Sequence, residues 1–479
     1  MSNYSLSHDN SPLADADLPN DVFRDYDIRG FADTQINPEF AFQLGRALAS
    51  LFLDDGYLSV YLGRDCRLSS PQLAQALQDG LLQQGLDVIN LGVVTTPMVN
   101  FAVHRGEKSN CGIMVTASHN PSSFNGFKIV VRNNVIAGET LQQVKELMGS
   151  NLAFNDRIGQ LINQEIAPVY LQEIIDNSTL RKTLKIVIDA GNAVAGPFAI
   201  NLFDRLGCEV IPINCEPNGA FPNHDPNPSD RRNLQPLIDT VDVTQADLGL
   251  AFDGDGDRLV AISGNGKIIW PDQLMMLFVR DILPQEKNAT VVFDVKSSRH
   301  LSELVRDLNG KPIMCKTGHA HVRHAVKENK ALLGGEFSGH IFFNDRWYGF
   351  DDGLYAAVRL LEILCTTNNQ QGCALLEQIN SELEACVYTP ELLIPVCESE
   401  KFKLMETLST HCKFKGAKII TIDGLRVEYP NSWGLIRASN TSANLTMRFE
   451  ANSERELERI KKIFSHELSP FINHVEQYL

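Results

Sequence analysis

Ser118 follows the apolar run Gly112-Ile113-Met114-Val115-Thr116-Ala117 and precedes His119-Asn120-Pro121. Asn-Pro turns a chain away from helix, so the hydroxyl is expected on a tight turn at a strand end. Such a hydroxyl acts as a nucleophile or phosphoryl carrier only beside a base or in a positive setting. His119, Arg24, Arg29, Arg64 and Lys128 are the candidates to supply it. A serine that merely satisfies a turn is the plainer alternative, and its neighbours weigh against it. Asp253, Asp255 and Asp257 lie two apart after Leu248-Gly249-Leu250-Ala251-Phe252. At strand spacing three carboxylates point to one side, and like charges that close need a cation. Hard oxygen ligands suit Mg²⁺ or Ca²⁺. A calcium EF-hand loop wants Gly at its sixth position and Glu at its twelfth. Arg258 and Gly264 stand there, so that motif fails. Mg²⁺, bound by few protein groups and keeping room for a phosphate oxygen, is the expectation.

Two further segments are ambiguous singly. Glu336, Ser338 and His340 alternate on a stretch loosened by Gly334, Gly335 and Gly339, and could read the vicinal hydroxyls of a sugar or simply form a turn. Arg437-Ala438-Ser439-Asn440-Thr441-Ser442 gathers a cation and short hydrogen-bonding side chains, a composition that fits a phosphate monoester or a polar turn. Taken together, a phosphate-accepting serine, a metal site, a hydroxyl reader and a phosphate clamp point to phosphate transfer to and from a sugar.

The elements that position these residues repeat. Ser59–Asp65, Leu184–Asp189 and Thr290–Asp294 are apolar, β-rich runs that each end in Asp. Each is followed by a second apolar run that delivers one of the first three loops. Runs of this kind suit strands buried on both faces of a parallel sheet. Helix-like stretches between them, such as Pro71–Gln84 and Leu301–Leu308, argue for α/β units, whose ligands bind at the carboxyl ends of the strands. The last hundred residues differ: Gly424–Tyr429 and Leu445–Glu450 alternate as half-solvated antiparallel strands do, and a helix is expected over Ser453–Leu468. They read as a smaller α+β domain starting near Asn380 to Cys386.

The chain of 479 residues has a net charge of −16, 43% apolar and 21% charged residues. That is ordinary for a soluble globular protein of several domains and excludes collagen-like, disordered and coiled-coil classes. The acidic balance disfavours nucleic acid and anionic lipid as partners. No apolar run is long enough to span a membrane, and the polar, acidic start is not a secretory signal. The ten cysteines form no C-x-x-C pair and read as free thiols in a reducing compartment, the cytoplasm.

From Phe23-Arg24-Asp25-Tyr26-Asp27-Ile28-Arg29-Gly30 to Arg448-Phe449-Glu450, with the four loops in order, the sequence resembles the α-D-phosphohexomutase family, and within it the bacterial phosphomannomutase/phosphoglucomutase branch. Phe337 stands where that branch usually has Met and phosphoglucosamine mutases usually have Gln. Ala443 replaces a common Pro after the phosphate loop, and Arg231-Arg232 replaces a Pro-Glu pair before Asn233. The resemblance implies three similar α/β domains with mixed, mainly parallel sheets and a smaller C-terminal α+β domain around a central cleft. The boundaries expected are a mobile tail over 1–20, a phosphoserine-loop domain over 21–160, a metal-binding domain over 161–264, a sugar-binding domain over 265–380 and a phosphate-binding domain over 381–479.

The resemblance also implies roles. Ser118 is phosphorylated and its phosphate joins Asp253, Asp255 and Asp257 on Mg²⁺, while Arg258 offsets charge on the transferring group. Glu336, Ser338 and His340 fall on the sugar, and Arg437, Ser439, Asn440 and Thr441 on the non-reacting phosphate. Tyr26, Lys296 and His319 match further ligand contacts. Arg29, Lys128, His119 and His340 are candidates for the general acid/base, and Arg would need an unusual environment for it. Phosphate would pass between O1 and O6 of mannose or glucose phosphate through glucose 1,6-bisphosphate or its mannose counterpart, which turns end for end as a hinged fourth domain opens. Hexose phosphates are the expected partners, without nucleic acid or membrane, and the chain is expected as a monomer, with a dimer the alternative. Phosphoglucosamine mutase, a sugar phosphatase and a silent sugar-phosphate-binding protein are the competing readings. A separate phosphate clamp weighs against the phosphatase, and the presence of Ser118 and all three aspartates against the silent binder.

Overall fold

The computed structural model describes Pro19 and residues 21–153, 155–180, 183–366, 386–440 and 442–479. The tail read over 1–20, apart from Pro19, and the start expected for the C-terminal domain lie outside them. The chain forms two compact units: residues up to Pro271 with Ser338–Cys365, and Asp272–Phe337 with the chain from Thr366 onward.

In the first unit β1 (Ile28–Phe31), β2 (Ser59–Arg64), β3 (Asp87–Val93), β4 (Cys111–Val115), β5 (Phe124–Val131), β6 (Asn134–Val135) and β7 (Leu161–Asn163) form one mixed sheet. Its order is β1-β5-β4-β2-β3-β7, with β6 on β5. β2 runs parallel to β3 and β4, whereas β5 is antiparallel to β4 and β1. Arg29 lies opposite Gly126 on β5, so period-two alternation puts Arg29 and Lys128 on one face. A second mixed sheet takes β8 (Lys185–Asp189), β9 (Glu209–Ile213), β10 (Leu248–Phe252), β11 (Leu259–Ser263) and β12 (Ile268–Ile269) in the order β12-β11-β10-β8-β9. In the second unit β13 (Thr290–Asp294) lies between β14 (Lys311–Cys315) and β15 (Leu333–Gly335), all parallel. The chain then re-enters the first unit with β16 (Ile341–Phe343) and a helix over Gly353–Thr366. In each repeat the strand ending in Asp pairs in parallel with the strand that delivers the loop: β2 with β4, β8 with β10, β13 with β15. The helices expected between them are Ser70–Gln83 and Arg299–Asp307.

The C-terminal sheet is antiparallel: β17 (Val387–Tyr388), β18 (Leu392–Pro395), β19 (Lys418–Ile420), β20 (Leu425–Tyr429), β21 (Ser432–Ala438) and β22 (Asn444–Ala451). Alternation suggested that β20 and β22 are half-solvated; instead most of their residues are buried. Ser453 caps the helix Glu454–Leu468, whose Leu457, Ile460, Phe464 and Leu468 are buried; with Phe449 they form part of this unit's core. Arg426, Arg448 and Glu450 are buried too. Arg426 donates to the carbonyls of Val295 and Ser297, both at 2.7 Å, and Arg448 to that of Lys296. Trp433 Nε1 and Ser298 Oγ donate to Glu450 at 3.0 Å. The C-terminal sheet therefore holds the loop that carries Lys296. Among the described residues no helix is long and apolar enough to cross a membrane.

Phe464 meets Phe449 edge-on, at 4.9 Å between ring centroids, and a Cβ at Gly434 would lie 2.6 Å from its ring. Phe464→Ala should destabilise the second unit by about 3–5 kcal/mol through the cavity it leaves, read as a lowered urea midpoint with an unchanged slope.

Candidate active site

Ser118 sits in a left-handed turn (φ 50°) after β4 and is buried. Few non-glycine residues adopt that conformation unless their surroundings impose it. Here the surroundings are polar and buried. Thr116 Oγ1 accepts from the Ser118 N–H at 2.9 Å and donates to Asp65 Oδ2 at 2.7 Å. Arg67 donates to the carbonyls of Ser118 (2.7 Å), Asn120 (2.6 Å), Pro121 (2.6 Å) and Phe124 (3.1 Å). Its Nε donates to Asp65 Oδ2 at 3.1 Å. A Cβ at Gly254 would stand 2.1 Å from the Ser118 carbonyl oxygen, so only glycine lets the two loops approach this closely.

Ser118 Oγ donates to Asp253 Oδ2 at 2.8 Å and lies 3.2 Å from His119 Nδ1. Asp253, Asp255 and Asp257 are wholly buried, with a ligand oxygen from each within 4.8 Å of the others. They converge from a turn, not from a strand as their spacing suggested: Asp253 Oδ1 accepts the N–H groups of Asp257 and Arg258 at 3.1 and 3.2 Å. Lys128 Nζ reaches Asp255 Oδ2 and Asp257 Oδ2, both at 2.6 Å, and Thr96 Oγ1 donates to Asp255. Burial, with repulsion from the other aspartates, raises the pKa of Asp253 and of Asp257. Burial acts the same way on Asp255, but Lys128 overcomes it and holds that carboxyl below its ordinary range.

Arg258 Nε donates to His340 Nε2 at 3.0 Å and lies 3.6 Å from Asp253 Oδ2. A ring nitrogen that accepts carries no proton, so the proton of His340 sits on Nδ1, 2.8 Å from Asp351 Oδ2 and 3.3 Å from Asp257 Oδ1. This tautomer removes His340 as a ligand from the second acidic cluster, Asp257, His340 and Asp351. Arg29 pairs with Asp27 and donates to Asn120 Oδ1 at 2.9 Å. Burial opposes the charge of Arg29 and of Lys128, yet Asp27 in one case and the aspartates in the other raise their pKa. Both hold their protons firmly, which disfavours either as a base. Partial burial and the cations Arg258 and Arg29 keep His119 well below the ordinary histidine value, hence neutral.

The three-aspartate turn can hold a metal ion. Its donors are all carboxylate oxygens, Asp255 Oδ1 is buried without a hydrogen-bond partner, and the Lys128 ammonium already stands where positive charge is required. These features fit a hard divalent cation.

The second unit gathers another set. Asp294, at the end of β13, accepts from Ser297 Oγ (2.8 Å), Thr317 Oγ1 (3.0 Å) and the Phe337 N–H (3.3 Å). Burial pushes it up to about 6, with Lys296 opposing and Glu336 adding repulsion. The Thr317 N–H donates to Asp423 Oδ2 at 3.0 Å, which also accepts from Arg437 Nε at 2.9 Å. Thr317 thus links Arg437 to the strand-end aspartate. His319 opens the helix His319–Glu328. Arg437 lies on β21 rather than in a polar loop, and Ser439 follows its end, accepting from Ser442 Oγ at 2.9 Å. Asn440 is half-buried, and Thr441 lies outside the described residues.

Of the residues expected to act, Ser118, His119, Arg29, Lys128, Arg258, His340 and the three aspartates come together in the first unit, which also carries Tyr26 and Ser338. Lys296, His319, Glu336, Arg437, Ser439 and Asn440 belong to the second. Arg64 does not support Ser118: its guanidinium donates to the Asp65 carbonyl at 3.2 Å. Sequence reasoning missed Arg67, Thr96, Asp351 and Asp423. The repeated strand-end Asp was the one signal that pointed toward the Ser118 scaffold.

A serine loop beside a three-aspartate turn, on repeated α/β sheets followed by an antiparallel C-terminal sheet, defines a class of enzyme, and comparison identifies it. Family models for phosphoglucomutase/phosphomannomutase match in order: alpha/beta/alpha domain I at residues 20–152, domain II at 168–266, domain III at 270–382 and the C-terminal domain at 393–466. The chain belongs to the phosphoglucomutase/phosphomannomutase family. It is 44% identical to a phosphomannomutase/phosphoglucomutase of Pseudomonas aeruginosa, over 94% of this chain and 96% of that one. It is 43% identical to a phosphoglucomutase of Neisseria gonorrhoeae, over 94% and 97%. A crystal structure of a phosphoglucomutase/phosphomannomutase family protein from Burkholderia thailandensis superposes with a TM-score of 0.89 at 41% identity, covering 95% of this chain and 99% of that one.

Three clustered carboxylates alone would repel, and removing one would relieve the fold. With Lys128 between two of them the sign reverses. Asp255→Asn should lower the stability of the metal-free protein by about 2 kcal/mol, the loss of a charge-assisted hydrogen bond, and weaken binding of a divalent cation at this turn. Thermal melts in chelator and calorimetric titration with divalent cations check both.

Proposed function

We propose that the enzyme interconverts the 1- and 6-phosphates of mannose and glucose through a phosphorylated Ser118 and a hexose 1,6-bisphosphate, with Mg²⁺ at Asp253, Asp255 and Asp257. The observation that carries this reading is the 2.8 Å bond from Ser118 Oγ to Asp253 within the same buried site as Lys128 and Arg258. When bound, the metal would offset the negative charge of the transferring phosphoryl group. Arg258, aimed by His340 and Asp351, adds positive charge for the same group.

When Ser118 attacks the bisphosphate, its Oγ forms the new P–O bond, the sugar oxygen leaves and the hydroxyl proton must go to an acceptor. Asp253 Oδ2 and neutral His119 Nδ1 are both within reach. In the reverse sense phosphoserine donates to the free 1- or 6-hydroxyl. Lys296, His319, Glu336, Ser338 and Tyr26 would hold the sugar, and Arg437, Ser439, Asn440 and Thr441 the phosphate that is not reacting. The domain division proposed with these roles is 21–160 for the phosphoserine loop, 161–264 for the metal, 265–380 for the sugar and 381–479 for the phosphate clamp.

Coupled assays with mannose 1-phosphate, glucose 1-phosphate and glucosamine 1-phosphate in parallel, together with intact mass, test the proposal. Turnover of the first two should exceed that of the third, Ser118 should carry phosphate, and Ser118→Ala should lose most activity. Preference for glucosamine phosphate, or stoichiometric phosphate on another serine, overturns it.

Asp423 fixes the Arg437 guanidinium through Nε, an orientation that lysine cannot reproduce. Arg437→Lys should raise KM for mannose and glucose 1-phosphate alike, by about 2 kcal/mol or roughly thirtyfold. Activity should then depend more on added glucose 1,6-bisphosphate. A sharp split between the sugars would remove Arg437 from the phosphate site.

A further inference from the structure

We propose that Arg67 is a positioning residue for the phosphoryl acceptor, setting the place of Ser118 Oγ by gripping the backbone of its loop. The inference rests on the reading of Ser118 as the residue that carries phosphate. Arg67 is 1% exposed and touches no reacting atom. Its two terminal nitrogens reach the carbonyls of Ser118, Asn120, Pro121 and Phe124, while Nε and the backbone N–H are both fixed by Asp65, at 3.1 and 3.0 Å. Asp65 also accepts from Thr116 Oγ1, which in turn accepts the Ser118 N–H. Ser118 is thereby held at both its N–H and its carbonyl, and that carbonyl lies where a Cβ at Gly254 would stand 2.1 Å from it. Two-sided restraint of this kind is what keeps a non-glycine residue at φ 50°. The hydroxyl is then aimed at Asp253.

A planar fork can span carbonyls on two sides of a turn; the ammonium of lysine presents its donors from one point. Misplacing a reacting group by about 1 Å costs on the order of a hundredfold in rate. Arg67→Lys should therefore lower kcat about a hundredfold and leave KM within about threefold, because the residues proposed to hold sugar and phosphate are untouched. Thr116→Val removes the other support with little change in shape and should lower kcat about tenfold, again at constant KM.

The test compares kcat, KM and, by intact mass over time, the rate at which glucose 1,6-bisphosphate phosphorylates Ser118, in full-length wild type, Arg67→Lys and Thr116→Val. Every rate is normalised to the folded fraction. A fall in Ser118 phosphorylation that parallels kcat supports the proposal. Wild-type rates per folded molecule, or a loss carried by KM, overturn it. Should Arg67→Lys fail to fold, Thr116→Val decides by the same criteria. A wild type that turns over no hexose phosphate, or lacks phosphate on Ser118, is the failure of the underlying reading instead.

Discussion

Three carboxylates without solvent exposure occupy one short turn, and the first unit is arranged so that they can bear charge there. A buried ion costs several kcal/mol unless it is paired and hydrogen-bonded. Lys128 comes from a strand of the first sheet, Arg258 from the residue that follows the turn, Thr96 from the start of a helix, and backbone N–H groups from the turn itself. The neutralisation is uneven: Asp255 is favoured as an anion, whereas Asp253 and Asp257 are pushed toward protonation. An added cation would favour their ionised forms, and Lys128 already ties the first sheet to the turn of the second through charge.

The strand-end aspartates apply the same logic to loops. Asp65 anchors the Ser118 loop through Thr116 and Arg67. Asp294 anchors the Phe337 backbone and Thr317. Asp189, the middle copy, instead accepts from Asn214 and the Gly191 N–H and lies 3.2 Å from His224 Nε2; it orders a neighbouring loop, and the three-aspartate turn is held by Lys128 and Thr96 instead. One position at the carboxyl end of a parallel strand has thus been put to related uses three times, the expected place for function in such sheets.

Local chemistry was legible in the sequence where strand and turn adjoin. The run before Ser118 and the Asn-Pro after it define the loop without tertiary information, and the strand-end Asp recurs visibly. Arg67 could not be read in this way, because its partner Ser118 lies 51 residues away and it reads carbonyls, which every residue possesses. The aspartate spacing correctly signalled convergence but suggested a strand where a turn does the work. In the C-terminal sheet, alternation was a misleading guide to solvent. Arg426, Arg448 and Glu450 look like an outer face, yet they are buried against the loop Val295–Ser298. Periodicity reports which side a residue points to, and only packing determines what covers that side.

Because Arg67 binds main-chain oxygens, the loop from Ser118 to Phe124 is specified by its path and length rather than by most of its side chains. Such a device separates two kinds of sequence change. Substitutions along the loop that keep its backbone path preserve every carbonyl the guanidinium needs, so they are open to variation for ligand contact or charge. An insertion or deletion of a single residue within the loop displaces the acceptors on one side of the change relative to those on the other. The loop can therefore diversify in chemistry while remaining fixed in length, a freedom that loops held by side-chain bonds do not have.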